Sequence, residues 1–182
     1  MKPTQFTQTA LLLLGLVVLA GIILQTQSLV RPPDAASSAE VIFRSRFFGQ
    51  QIVPVGGGPT EAESQLLLVL LNVTADSNYQ TGLDDLEVFR NTYTNSPWVP
   101  SLDAVLGRYY YDLGRYTPAL AHWELAWHAT KDYPDGNGKL VADYTLAHWT
   151  RLLASLGRLE VLTNLVLETQ GRVLDRGRLS QK

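Results

Sequence analysis

Two runs of apolar residues, joined at a single glycine, constrain this chain more than any other feature. Leu102, Val105, Leu106, Tyr109, Tyr110 and Leu113 recur at i, i+3, i+4, i+7, i+8 and i+11. After Gly114 the stripe resumes with Tyr116, Ala119, Leu120, Trp123, Ala126 and Trp127. That period places each set on one face of a helix. The pattern extends in both directions. Thr60-Glu61-Ala62-Glu63 has the form of a capping box opening a helix through Leu66, Val69, Leu70 and Val73. A second helix is expected from Leu83 to Tyr93, with Leu86, Phe89 and Tyr93 on one face and Asn95-Ser96-Pro97 ending it. Downstream of the turn-forming stretch 132–138, Val141, Tyr144, Thr145, His148, Trp149, Leu152, Leu153 and Leu156 make another stripe. Gly157 breaks it, and Leu159, Leu162, Leu165 and Val166 follow. The expected fold is all-α: about three helix pairs in a row over 61–172.

The pair over 101–130 resembles a tetratricopeptide repeat, a 34-residue motif of two antiparallel helices. Leu106-Gly107 and Tyr110 sit where that family has Leu-Gly and Tyr, Gly114 and Tyr116 match its turn, and Ala119, Trp123 and Ala126 match its small, aromatic, small order. The order has a steric reason: Gly107 and Ala119 let two helices approach, and aromatic rings fill the gaps. One repeat upstream, Phe89 and Pro97 fall on the aromatic and terminal proline positions; downstream, Gly157 aligns with Gly114 at 43 residues. The resemblance covers about 61–170 and implies a short solenoid that binds other proteins. The stretch from Trp98 to Arg172 also resembles, more narrowly, helical repeats that precede papain-like cysteine peptidase domains in large secreted bacterial proteins. That likeness implies, as the alternative, a truncated or accessory module of such a protein.

Ahead of the array, residues 10–24 read ALLLLGLVVLAGIIL, fifteen residues without a charge. Its eleven Leu, Ile and Val contribute roughly −3 to −6 kcal/mol to insertion in total. A membrane helix is therefore expected over residues 1–30, either an uncleaved signal anchor or a signal peptide cut near Ala20. The run itself spans only about 22 Å; spanning length is reached from Thr9 to Val30. The expected location is the bacterial inner membrane, single-pass, with the repeats outside the cytoplasm, or a secreted or periplasmic product after cleavage. Residues 31–60 then read as a linker plus a short irregular segment. For 39–55 three readings stand: a short strand around Val41 and Phe43, a bilayer contact through Phe43, Phe47, Phe48, Arg44 and Arg46, or packing against the domain, the reading placed first. Residues 173–182 read as a C-terminal cap through Val173, Leu174 and Leu179, or as a basic tail.

Catalytic patterns are scarce. The 15 basic and 17 acidic residues leave a formal charge of −2 and a pI near 5.9, so no basic field awaits nucleic acid. The chain has no Cys, which excludes thiolate zinc sites and cysteine nucleophiles. Gly56-Gly57-Gly58 lacks the Lys-Ser/Thr of a phosphate loop. His122 and His128 lie about 240° apart on a helix and cannot share a metal directly; His148 reads as a core or interface histidine. Asp84-Asp85 suit a helix N-terminus rather than acid chemistry. No catalytic residue, metal or cofactor is expected, and the chain reads as a non-enzymatic adaptor.

What remains is the inner surface. The resemblance puts the first helix of each pair on a concave groove, where Arg108 and Arg151 take equivalent places, one after Gly107 and the other after Thr150. Ser101, Tyr111, Asp112, Tyr144 and Ser155 should lie near them. Guanidinium groups beside aromatics suit a carboxylate or an acidic peptide. The competing expectation is that each Arg is paired by a neighbouring acid, Asp112 or Asp143.

Overall fold

The structure is a computed structural model, and it describes residues 36–47, 49–76 and 82–174. The apolar run at 10–24 and the membrane expectation attached to it lie outside the described residues. Within the described residues no helix is long and apolar enough to cross a membrane.

The described part is helical. A short helix α1 (Ser38–Arg44) leads into a two-stranded hairpin, β1 (Arg46–Phe47) and β2 (Gln50–Gln51), paired Arg46 to Gln51 and Phe47 to Gln50. Then come α2 (Glu61–Asp76), α3 (Leu83–Thr92), α4 (Val99–Asp112), α5 (Tyr116–Thr130), α6 (Gly136–Ser155) and α7 (Leu159–Glu168). Each helix packs on the next from α2 onward, and α4 also packs on α6. The helical class is what the sequence periodicity anticipates.

Local chemistry explains the boundaries. At the start of α2 the Thr60 hydroxyl accepts from Glu63 N–H at 3.2 Å while Glu63 Oε2 accepts from Thr60 N–H at 3.1 Å, so both orphan donors are satisfied. The α4 and α6 helices end alike. Gly114 and Gly157 both have positive φ (72° and 65°), and the following N–H reaches back five residues, Arg115 to Tyr110 and Arg158 to Leu153, at 2.8 and 2.9 Å. Glycine adopts that left-handed conformation without the steric cost of a Cβ. The helix α6 starts at Gly136, inside the stretch expected as loop.

Three buried clusters make the core. One joins Ile42, Phe47 and Ile52 to Leu67, Leu71, Leu86, Phe89, Trp98, Leu102 and Leu106. A second gathers Tyr110, Trp123, Trp127, Trp149, Leu152 and Leu165. The third sets Val53 and Val55 against Ala104, Ala126 and Val141. Residues 39–55 therefore pack into the domain, mainly as a helix and hairpin followed by an extended, buried stretch. Phe47 is buried, so the bilayer-contact reading of the three Phe does not hold for it.

Several expected faces need correction. In α2 the buried residues are Ser64, Leu67, Leu71 and Thr74, whereas Leu66, Val69 and Val73 are exposed. The stretch QLLLVLLNV is apolar all round, so periodicity alone had no polar face to choose against. Leu113, Tyr116, Leu156, Leu159 and Val166 are exposed too, because they sit at turns or on α7, over which no further layer packs among the described residues. Of the expected C-terminal cap only Val173 and Leu174 are described, 80% and 48% exposed. Arg172 does the fastening instead. Its Nε donates to Asp143 Oδ1 at 2.8 Å, an Nη donates to the Lys131 carbonyl at 2.8 Å, and the guanidinium lies 5.4 Å from the Trp127 ring. Leu179 lies outside the described residues.

Candidate functional site

The face shared by α4 and α6 carries most of the residues singled out in the sequence. Arg108 lies on α4, one turn before Asp112, and donates from Nε to Asp112 Oδ2 at 2.9 Å. That hydrogen bond, and then the Asp112 charge, raise the Arg108 pKa against the cost of burial. The guanidinium also sits 5.7 Å from the Tyr111 ring centre. Arg151 is exposed on α6 and its side chain has no ion pair or hydrogen bond among the described residues. The two arginines thus differ: one is held by its neighbour and the other is not. Asp143, the other acid considered, pairs with Lys139 and Arg172.

A row of aromatic rings joins α4, α5 and α6. Tyr116 to Tyr111 is 5.8 Å, Tyr111 to Trp123 is 5.9 Å, Trp123 to His148 is 5.8 Å and His148 to Tyr144 is 4.4 Å. Trp123 is held in this row from below, its indole N–H donating to the Ala104 carbonyl at 3.1 Å. Gly107 leaves the ring its space: a Cβ there would stand 2.5 Å from Trp123 Cδ1. His148 is half-buried, and burial first, then the Arg108 and Arg151 charges, pushes its pKa down to about 4. It is therefore uncharged at neutral pH. Burial also raises the Tyr144 pKa, against the Arg108 charge. The Tyr144 hydroxyl is buried and makes no hydrogen bond among the described residues.

One expected groove residue, Ser101, stands apart. Ser101 is only 2% exposed, and its hydroxyl accepts the Val53 N–H at 3.0 Å, so it belongs to the core rather than to an open groove. The chain's own segment 52–55 occupies that end of α4, with Val55 N–H donating to the Pro97 carbonyl and Asn137 reaching the Pro54 carbonyl. Ser155 is exposed, its hydroxyl donating to the Arg151 carbonyl at 2.9 Å. The site as built is Arg108, Tyr111 and Asp112 opposite Tyr144, His148 and Arg151.

Sequence reasoning did not find the other polar cluster. His122 on α5 is buried between two carboxylates, Nδ1 2.9 Å from Asp103 Oδ1 on α4 and Nε2 2.8 Å from Glu87 Oε1 on α3. Arg90 donates to Asp103 at 3.0 Å and the Tyr110 hydroxyl donates to Glu87 at 2.9 Å. Desolvation would lower the His122 pKa, but hydrogen bonds to Asp103 and Glu87 and their charges win, raising it to about 9. The only signal in the sequence is a His, two acids and an Arg on three different helices, which no local spacing connects. His128, by contrast, is exposed and faces Glu124 at 4.0 Å. No group of three or more His, Asp or Glu able to hold a metal exists among the described residues.

A separate groove of about 210 Å³ opens between α5, α6 and α7, lined by Leu120, Glu124, Trp149, Leu153, Arg158 and Val161. It shares no residue with the arginine and aromatic row. The described residues form a mainly helical fold, and the face shared by α4 and α6 carries Arg108, Arg151 and aromatic rings. Comparison with known protein families, with curated proteins and with solved structures finds no match to this chain.

Proposed function

We propose that the chain is a non-enzymatic adaptor, built as a tetratricopeptide-like array of three helix pairs, that binds an acidic segment of another protein on the face shared by α4 and α6. One observation carries the reading: the exposed Arg151, lacking an acidic partner among the described residues, and Arg108 both act by charge on His148, a member of a row of aromatic rings. An unpaired cation next to stacking surfaces favours a carboxylate-bearing ligand. The repeat reading is supported by the matching ends of α4 and α6, where Gly114 and Gly157 adopt the same backbone conformation 43 residues apart. The close contact of Gly107 with Trp123 supports it as well. In this reading the apolar run at 10–24 tethers the chain to the bacterial inner membrane and the partner is an envelope protein.

Site-specific crosslinking from Tyr111 and Ser155 in cells, with and without the double substitution Arg108→Ala and Arg151→Ala, tests it. Loss of the crosslinked partner with unchanged helical signal and melting temperature is expected. Unchanged capture would overturn the reading, and a collapse of the helical signal would make the two arginines structural.

A further inference from the structure

We propose that Tyr144, His148 and Arg151 form the contact surface for a peptide segment carrying a single carboxylate side chain, while Arg108 is kept in reserve by Asp112. This assignment rests on the reading of the α4 and α6 face as the binding surface, and narrows it to one helix and one kind of side chain.

Tyr144, His148 and Arg151 stand at i, i+4 and i+7 on α6, a spacing that puts them on one face in a line. The half-buried Tyr144 ring packs 4.4 Å from His148, His148 makes no hydrogen bond among the described residues, and the exposed Arg151 has no acid paired with it among them. The Tyr144 hydroxyl itself is buried, so Tyr144 offers its ring and His148 and Arg151 offer the polar contacts. Arg108 is different, since its Nε is already engaged by Asp112 at 2.9 Å.

Charge decides the number of carboxylates. Arg108 and Arg151 supply two positive charges and Asp112 one negative, and His148 is neutral, which leaves one net positive charge on the face. One carboxylate balances it. A dianionic phosphate would bring a second negative charge beside Asp112, where like charges repel. The half-buried rings of Tyr111 and Tyr144 flank the position, so the methylenes or an adjoining apolar side chain of the ligand would lie on aromatic surface, with the buried Trp123 ring behind them.

His148 reports on occupancy. The charged and titratable groups near it are Arg108, Tyr111 and Asp112 from α4 and Tyr144 and Arg151 from α6, with the uncharged Trp123 ring from α5. Both arginines disfavour the imidazolium. A carboxylate bound among them favours it, so binding should raise the His148 titration midpoint from about 4.

The test is an NMR titration of the full chain, carbon-labelled at histidine, with an acetylated and amidated tripeptide whose central residue is Glu. The same peptide with central Gln or phosphoserine serves for comparison. The Glu peptide is expected to shift the His148 ring signals and to move its midpoint up by about one unit. The Gln and phosphoserine peptides should bind about tenfold more weakly, as should the Glu peptide to Arg151→Ala. An equal response to Glu and Gln peptides, or none at His148, would overturn the assignment. If that happened while the Arg108 and Arg151 double variant still lost its crosslinked partner, the binding face would stand and only this contact surface would fall. Tighter binding of the phosphoserine peptide would point to a dianion instead.

Discussion

The His122 imidazole on α5 and the Asp103 carboxylate on α4 meet at 2.9 Å, with Glu87 of α3 on the other ring nitrogen at 2.8 Å. Three successive helices are thereby tied at one buried point. Both ring nitrogens carry protons when the imidazolium forms, so both can donate to the flanking carboxylates.

This relationship makes stability depend on pH with a definite sign. The folded pKa of His122 is raised from 6.5 to about 9, so its contribution is fully present below about 6.5 and is lost as pH rises through about 9. Glu87 is lowered, chiefly by its hydrogen bond from His122, and its contribution is lost in acid as pH falls below its ordinary 4.5. Thermal unfolding should therefore show a plateau between about 4.5 and 6.5 and a fall of on the order of 3 kcal/mol by pH 9.5. Substitution His122→Gln should flatten the alkaline limb and cost about 3 kcal/mol at pH 6, since Asp103 and Glu87 lose the charge between them. A His122 NMR midpoint near 6.5 would contradict this account.

Gly107 has a different task, which is to be small. Replacing it by Ala would set a Cβ 2.5 Å from Trp123 Cδ1 and 2.6 Å from Nε1, in a ring pinned by its hydrogen bond to Ala104. Helix propensity favours Ala by about 1 kcal/mol, but overpacking against a fixed ring costs about 1–3 kcal/mol. Gly107→Ala is expected to lower the melting temperature and to change the Trp123 fluorescence. Gly114→Ala, which meets nothing within 4 Å but has φ +72°, should cost only about 1 kcal/mol with no change in that fluorescence.

Arg172 should behave as a fastening rather than as surface decoration. Its hydrogen bonds to Asp143 and the Lys131 carbonyl, and its stacking on Trp127, close the end of the array formed by α5, α6 and the loop between them. Arg172→Ala is expected to cost about 1–2 kcal/mol, softened because Lys139 still pairs with Asp143. Hydrogen exchange should quicken in the 131–135 loop. An exchange pattern changed only near Val173 would show that the contact is dispensable.

Ser101→Ala tests the seat of the 52–55 segment. The change leaves the buried Val53 N–H without its acceptor, a loss of about 1–2 kcal/mol. Val53 is 1% exposed and belongs to one cluster with Ala104 and Val141, so the segment should loosen rather than detach. Faster proteolysis at Gly56–Gly58 would register that loosening.

Much of the helical arrangement was legible because it is written locally. The Thr60 and Glu63 capping pair, the glycines after α4 and α6, and the stripe from Leu102 to Tyr110 act over a few residues, and a period of 3.6 exposes them to a reader of the chain. The pairing of Arg108 with Asp112 is equally local, one turn apart. Arg108, Tyr111 and Asp112 lie on α4 and Tyr144 and Arg151 on α6, the helices that the periodicity marks out.

What tertiary structure alone decided involves choices that local spacing leaves equal. In α2, Leu67 and Leu71 are buried and Val69 is 58% exposed, because a helix apolar on every side takes its inward face from whatever packs against it. Ser101 is held in the core by Val53, nearly fifty positions earlier, and Arg172 reached back to Asp143. His122 became a buried cation only when α3 and α4 each brought a carboxylate to it. Periodicity and capping bind neighbours in sequence, whereas burial and charge pairing depend on distances that exist only once the helices have packed.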